Sequence, residues 1–259
     1  MNPLVRAALV VVLLVLPGSL MISLRAQDNA AADNAAADNA PADNAAAAPA
    51  RTYTDVDIEG WTVTVEHAVT ADVEHWTAVR KEIGSQLFAV SRRVPAAALA
   101  RLREIRIWVE RSVPHCICAC YHPNPAWLRD RGVDPHKVRC VEIGNTDHFI
   151  DWSLQQPAML MHELAHGYHH RVLPDGFDNA KLREQYDRMV ASGRYNEVLH
   201  VSGRMQRAYA MTDRMEYFAE SSEAWLMTND FYPFVRAELT AHDPDMAKLL
   251  AELWGQPGR

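Results

Sequence analysis

The chain has 259 residues, of which 49% are hydrophobic and 23% are charged, and these values are close to those of an average globular protein. This length suits one ordinary domain with appendages. The formal net charge is −7 and the sequence contains no basic run, which argues against nucleic acid as the main partner.

The first 26 residues have the pattern of an export signal. One positive charge lies in residues 1–6, an unbroken apolar run covers residues 7–16, and Pro-Gly-Ser follows it. The run is shorter than the roughly 20 residues that a membrane-spanning helix needs. We therefore predict a signal peptide over residues 1–26 and an exported protein that is secreted, periplasmic or on the cell surface. The alternative is an uncleaved N-terminal anchor that continues through residues 20–22.

Residues 27–51 form a low-complexity segment. The dipeptide Asp-Asn recurs every five residues in a background of Ala and Pro, starting at Asp28, Asp33, Asp38 and Asp43. The segment has no apolar face that burial could stabilise. We interpret it as a flexible, mildly acidic linker that precedes a folded domain over residues 52–259.

The first half of this domain predicts a small mixed sheet with helices between its strands. Apolar and polar residues alternate on both sides of Glu59-Gly60, which indicates a β-hairpin. The apolar residues of 72–90 recur at helical spacing. The later predicted elements are a helix from Pro95 to Leu102, a strand at 105–109, a Pro- and Cys-rich loop at 113–125, a helical turn at 126–131 and a strand at 138–143.

The four cysteines are Cys116, Cys118, Cys120 and Cys140. An exported chain favours disulfides, and four cysteines allow three pairings among which the sequence does not choose. The first three alternate, so an extended segment would present them on one face. A bond from one of them to Cys140 would close a loop of about 20 residues, worth roughly 3 kcal/mol in the chain-entropy model. The alternative is a second zinc site with His115 and His122, although the Cys-x-Cys-x-Cys spacing departs from the usual zinc-binding pairs.

Residues 162–166 read His-Glu-Leu-Ala-His. Residues four apart lie on one face of a helix, so His162 and His166 can reach one metal ion. Glu163 would then point at the water that the metal holds. Pro157 suits a first helical turn, and neither Gly nor Pro interrupts residues 158–166. The pattern favours a zinc hydrolase, with two merely packed or solvated histidines as the alternative.

The rest of the chain predicts mostly helices. They are expected at residues 179–191, 213–228, 233–240 and 244–254, with two short extended pieces between 198 and 209. Residues 167–208 separate the His-Glu-x-x-His helix from the 213–228 helix, and they can serve as a lid or as packing. Strands before the metal helix and helices after it predict an α+β domain with a mostly helical C-terminal half.

A catalytic zinc site takes three protein ligands and leaves one position for water. His169 is excluded as the third ligand because a rigid helix cannot bring three successive histidines around one ion. The metzincin spacing also fails, since His169 and Val172 stand where it requires Gly and His.

Glu216 is the better candidate for the third ligand. It lies one turn before Glu220 on a helix rich in apolar residues, where carboxylates are costly unless they are paired or bound to metal. We predict that Glu220 accepts the second N–H of a ligating histidine. Glu223 is predicted to be solvated. The alternative for all three glutamates is a role as surface charges.

These residues resemble a known arrangement. His162-Glu163-x-x-His166 with a downstream Glu on a second helix resembles the gluzincin pattern of zinc metallopeptidases. The segment from Tyr209 to Glu220 is similar to the corresponding helix of anthrax lethal-factor-type peptidases, and the similarity is confined to the two helices and the tyrosine. Over residues 52–256 the chain also resembles a group of uncharacterised bacterial metallopeptidases.

The resemblance implies a zincin-like metallopeptidase domain that binds one Zn²⁺ per chain. His162, His166 and Glu216 would hold the ion, Glu163 would act as general base, and Tyr209 would donate a hydrogen bond to the developing oxyanion. The implied partner is a peptide or protein substrate. A non-catalytic zincin-fold binding protein and a zinc amide hydrolase acting on cell-wall material are the alternatives.

In zincins, a strand before the metal helix often forms the upper rim of the cleft and pairs with an extended peptide. The resemblance therefore implies that the strand at 138–143, which continues to Asn145, forms this rim. Glu142 and Asn145 would contact substrate there, or they are ordinary strand-end and turn residues. No membrane contact is expected from the folded domain.

Overall fold

The computed structural model describes residues 51–255. The predicted signal peptide or anchor of residues 1–26 lies outside the described residues, and so does the predicted linker apart from Arg51. Within the described range, no helix combines the length and the apolarity needed to cross a membrane.

The first half of the domain builds a five-stranded sheet. β1 (Tyr53–Ile58) and β2 (Trp61–Glu66) form the predicted hairpin, and both residues of its Glu59-Gly60 turn have the positive φ angles that such a tight turn requires. The other strands are β3 (Ile107–Val109), β4 (Ala119–Tyr121) and β5 (Val141–Ile143). Their order is β1-β2-β3-β5-β4, with β2, β3 and β5 parallel and the two edge strands antiparallel. The small mixed sheet is confirmed, although the sequence had assigned β4 to a loop.

Helices connect these strands and cover the sheet. They are α1 (His67–Thr70), α2 (Val73–Arg93), α3 (Ala96–Leu102), α4 (Pro125–Asp130) and α5 (Thr146–Ser153). The side chain of Asp72 caps α2, which buries Val79, Ile83 and Leu87 at the predicted helical spacing. The sequence analysis did not predict α5.

The second half is mainly helical, which confirms the α+β class. It contains α6 (Met159–Arg171), α7 (Ala180–Ser192), α8 (Arg214–Leu226), α9 (Arg236–His242) and α10 (Pro244–Leu253). A separate two-stranded hairpin consists of β6 (Val198–Leu199) and β7 (Met205–Gln206).

Helix α6 lies at the centre of the domain, where it packs against α8, α2 and β4. The first backbone N–H groups of a helix have no partner within it, and one of them finds a partner on α2. Leu160 N–H donates a hydrogen bond to the side chain of buried Gln86 over 2.9 Å. Gly167 permits a close approach, since a Cβ atom there would lie 2.5 Å from Ile105 Cδ1. These contacts fix the helix that carries the His-Glu-x-x-His sequence.

The segment of residues 167–208 serves mostly as packing. Helix α7 contacts α8 and α10, and Leu182 is fully buried. Gln185 Nε2 donates to Asp243 Oδ1 over 2.8 Å in the interior. The segment therefore holds the two C-terminal helices and α8 together.

Candidate metal centre

Two packed helices carry the three predicted metal ligands. On α6, His162 and His166 are one turn apart, and their Nε2 atoms are separated by 3.1 Å. On α8, Glu216 Oε2 lies 2.9 Å from His162 Nε2 and 3.4 Å from His166 Nε2. The structure thus brings together the set that the sequence analysis selected.

The spacing of these atoms fits a zinc ion. Two ligand atoms that each lie 2.0–2.1 Å from a tetrahedral Zn²⁺ are about 3.3 Å apart. The three observed separations are 2.9, 3.1 and 3.4 Å. The side chains of His162, His166 and Glu216 remain 14%, 12% and 17% exposed, so one side of the cluster opens to solvent. Three ligands with one open side are the donor set of a catalytic zinc site.

The charges of the cluster shift the titration of its members. Burial lowers the pKa of His162, but hydrogen bonds to Glu216 and Glu223 outweigh burial and raise this pKa well above its ordinary value. Burial raises the pKa of Glu216, yet the charge of His166 and hydrogen bonds from both histidines hold it well below its ordinary value. A metal ion would replace the proton on His162, so metal affinity is expected to depend on pH.

Glu163 and Tyr209 lie beside the ligands. Glu163 is 8% exposed; burial raises its pKa, and the charges of His162 and His166 oppose that shift. Tyr209 belongs to a 3₁₀ turn (Tyr209–Met211) that leads into α8, and its ring centroid is 6.3 Å from that of His162. Burial, together with the negative charge of Glu216, raises the pKa of Tyr209. The cluster therefore combines a buried carboxylate with a phenol that stays protonated.

The predictions for Glu220 and Glu223 were wrong. Glu223 Oε1 lies 2.7 Å from His162 Nδ1, whereas Glu220 Oε1 lies 3.9 Å away. Glu220 instead accepts a hydrogen bond from Asn229 Nδ2 over 3.1 Å. Glu223 is only 4% exposed because it follows Glu216 by seven residues, two helical turns, and so lies on the same face of α8. Burial raises the pKa of Glu223 to about 7 despite its hydrogen bond with His162.

His169 does not belong to the centre. Its ring packs against Phe177 and Phe218, with centroid distances of 5.0 and 4.9 Å. Neither ring nitrogen has a hydrogen-bond partner, and burial lowers the pKa of His169 to about 3. It is a neutral core residue, in agreement with its exclusion as a ligand.

The predicted substrate rim is also corrected. β5 lies between β3 and β4, so it cannot offer a free edge to a peptide. Glu142 is fully buried and pairs with Lys137 Nζ over 2.7 Å. Asn145 caps α5, where its Oδ1 accepts hydrogen bonds from two backbone N–H groups over 3.0 Å each. The edge strand next to α6 is β4.

None of the four cysteines forms a disulfide in the structure, which contradicts the predicted bond to Cys140. Cys140 Sγ lies 3.5 Å from the carbonyl oxygens of His136 and Val138. Cys118 Sγ faces Met159 Sδ at 3.4 Å. The expected common face is lost because the extended strand begins only at residue 119, so Cys118 diverges from its two neighbours.

No protein-family model, curated protein or solved structure matches the chain. The arrangement of the residues is therefore the only basis for assigning a function. Sequence reasoning missed Glu223 as a partner of His162, and its seven-residue spacing from Glu216 was the signal that could have found it.

Proposed function

We propose that the chain is an exported, zinc-dependent metallopeptidase with a zincin-like fold, in which His162, His166 and Glu216 hold one catalytic ion. The observation that carries this proposal is the convergence of their three ligand atoms within 2.9–3.4 Å of one another beside buried Glu163. The N-terminal sequence pattern supports export.

The residues around the ion divide the chemistry of hydrolysis among them. A bound Zn²⁺ would polarise the scissile carbonyl and lower the pKa of a water molecule. Glu163 accepts a proton from the attacking water and delivers it to the leaving amine, and its raised pKa suits both steps. The Tyr209 hydroxyl donates a hydrogen bond to the oxygen on which negative charge develops. Glu223 contacts Nδ1 of His162 and leaves its Nε2 facing Glu216, where this nitrogen would bind the ion.

Edge strand β4 offers a route for substrate binding. Its outer edge is unpaired within the described sheet, and it packs against the α6 helix that carries the two histidines. An extended peptide can add to such an edge through backbone hydrogen bonds. This geometry supports a peptide or protein as the substrate class.

Glu163→Gln tests the proposed function. The variant keeps the size of the side chain but removes the base, so hydrolysis of a peptide library should be lost while zinc content stays unchanged. Glu197→Gln, at an exposed position, is the matched control and should behave as wild type.

Cell-wall fragments should be assayed beside the peptide library. Cleavage of these fragments alone would replace the peptidase proposal by the cell-wall amide hydrolase. Zinc binding by the wild type without hydrolysis of either substrate class would refute the enzyme and favour a binding protein.

A further inference from the structure

A second cluster of potential ligands lies outside the proposed catalytic centre. The loop before β4 and the residue after it bring His115 and His122 to Glu142 on β5. Glu142 Oε2 lies 3.0 Å from His115 Nε2 and 2.5 Å from His122 Nε2. Cys120 Sγ lies 3.6 Å from His122 Nε2.

We propose that this cluster is a second, structural zinc site with His115, Cys120, His122 and Glu142 as its four ligands. Each chain would then hold two ions rather than the one that the His-Glu-x-x-His sequence implies. This inference does not depend on the proposed catalytic function.

The ligand atoms of His115, His122 and Glu142 converge on one point, and the distance from Cys120 to His122 supports Cys120 as the fourth ligand. A nitrogen and a sulfur bound to one tetrahedral Zn²⁺, at about 2.05 and 2.3 Å from it, are about 3.6 Å apart. Cys120 Sγ and His122 Nε2 show this separation. Moreover, two imidazole Nε2 atoms converge on a single carboxylate oxygen here, as they do at Glu216 Oε2 in the first centre.

The donors select the class of ion. Imidazole nitrogen and thiolate sulfur suit Zn²⁺ and similar borderline ions, whereas Mg²⁺ and Ca²⁺ prefer oxygen ligands. Glu142 is fully buried and His122 is 4% exposed, which is typical of a closed structural site rather than an open catalytic one. Lys137 Nζ binds the other carboxylate oxygen of Glu142 at 2.7 Å and fixes its orientation.

Charge balance also favours a cation at this position. Three buried carboxylates, those of Glu66, Glu110 and Glu142, pair with only two cations, Arg51 and Lys137, so this network carries one excess negative charge. A divalent ion with the Cys120 thiolate would add one positive charge and neutralise it.

The backbone positions the loop for this role. A Cβ atom on Gly144 would lie 2.2 Å from the Cys116 carbonyl oxygen, so only glycine permits the loop to lie so close to the end of β5. Gly144 N–H donates to the Cys118 carbonyl over 2.8 Å. An ion bound here would fix edge strand β4, which packs against α6, and would thereby support the rim of the proposed cleft.

Metal content of the full chain after zinc loading and dialysis tests the proposal. Wild type should retain two zinc ions per chain, and His122→Gln and Glu216→Ala should each retain one. His136→Gln removes a histidine whose side chain is 83% exposed and should retain two. Equal zinc content in wild type and in folded His122→Gln would overturn the second site.

Cobalt substitution gives an independent readout. Thiolate coordination produces a charge-transfer band in the near ultraviolet, which a centre of two histidines and a glutamate cannot produce. The band should be present in wild type, Glu216→Ala and Cys140→Ser, and absent from Cys120→Ser, which barely changes side-chain size. Absence of the band from wild type and Glu216→Ala would refute Cys120 as a ligand. If the centre formed by His162, His166 and Glu216 binds no metal, the band in Glu216→Ala still shows whether the second site does.

Discussion

Glu223→Gln should weaken zinc binding at the centre formed by His162, His166 and Glu216. The Glu223 carboxylate lies 2.7 Å from His162 Nδ1 in a position that is only 4% exposed, so solvent screens the interaction little. A hydrogen bond to a charged group contributes about 1.5–3 kcal/mol. Since 1.4 kcal/mol corresponds to a factor of ten, the loss of charge should raise the zinc Kd by about 10- to 100-fold.

Competition with a chelating dye at fixed pH measures this change, and His122→Gln as the background confines the titration to one site. Glu220→Gln is the matched control because it makes the same chemical change on the same helix. Its carboxylate lies 3.9 Å from His162 Nδ1, so its zinc Kd should stay within about threefold of the parent.

The two variants should also differ in hydrolysis. Glu223→Gln is expected to recover most of its activity at high zinc concentration, because the loss lies in metal affinity. Equal zinc affinities in the two variants would refute the assignment of Glu223 as the residue that positions His162. A larger loss of zinc affinity in Glu220→Gln than in Glu223→Gln would show that Glu220 is the partner of His162, as the sequence first suggested.

Three further outcomes are expected. In the metal-free protein, the free energy of unfolding should fall as the pH rises from 4.5 towards about 7, because Glu163, Glu220 and Glu223 have raised pKa values and keep in the folded state protons that the unfolded chain has lost. Denaturant titrations at several pH values measure this slope, and Glu223→Gln should make it shallower by removing one of the three groups. Tyr209→Phe should lower kcat by about 10²- to 10³-fold at unchanged zinc content, and a wild-type rate would remove Tyr209 from the mechanism. Lys137→Met should destabilise the fold by about 3–5 kcal/mol in urea unfolding because Glu110 and Glu142 lose their buried partner, and a change below 1 kcal/mol would contradict this account.

Much of the fold was predictable because its elements have strong local signals. The hairpin around Glu59-Gly60 and the helix that begins after Asp72 match their patterns closely. β4 was not predicted because it has only three residues, which lie between Cys- and Pro-rich stretches. Its extended conformation depends on its pairing with β5, which the local sequence does not show. The helix that begins after Asn145 was missed because that residue was read as the end of a strand and not as an N-cap.

The three candidate metal ligands could be selected from the sequence because each of the two signals lies within a single helix. The i, i+4 spacing puts His162 and His166 on one face, and a carboxylate on an apolar helix points to Glu216. The role of Glu142 was not predictable, since its partners Lys137 and His122 reach it only through the tertiary fold. Sequence periodicity describes one helix or strand at a time, whereas Lys137, His122 and Glu142 lie on three separate segments of the chain.

The burial of carboxylates around α8 supports the proposal that this cluster binds an ion. Glu163, Glu220 and Glu223 are each less than 9% exposed, and Glu216 contacts both histidines. Burial raises the pKa of the first three, so the fold tolerates them only at a cost in free energy. Packing alone gives no reason to keep four carboxylates around two imidazoles, because apolar residues of similar volume would often be as stable or more so. A divalent cation bound by His162, His166 and Glu216 would supply positive charge to this cluster and offset part of that cost.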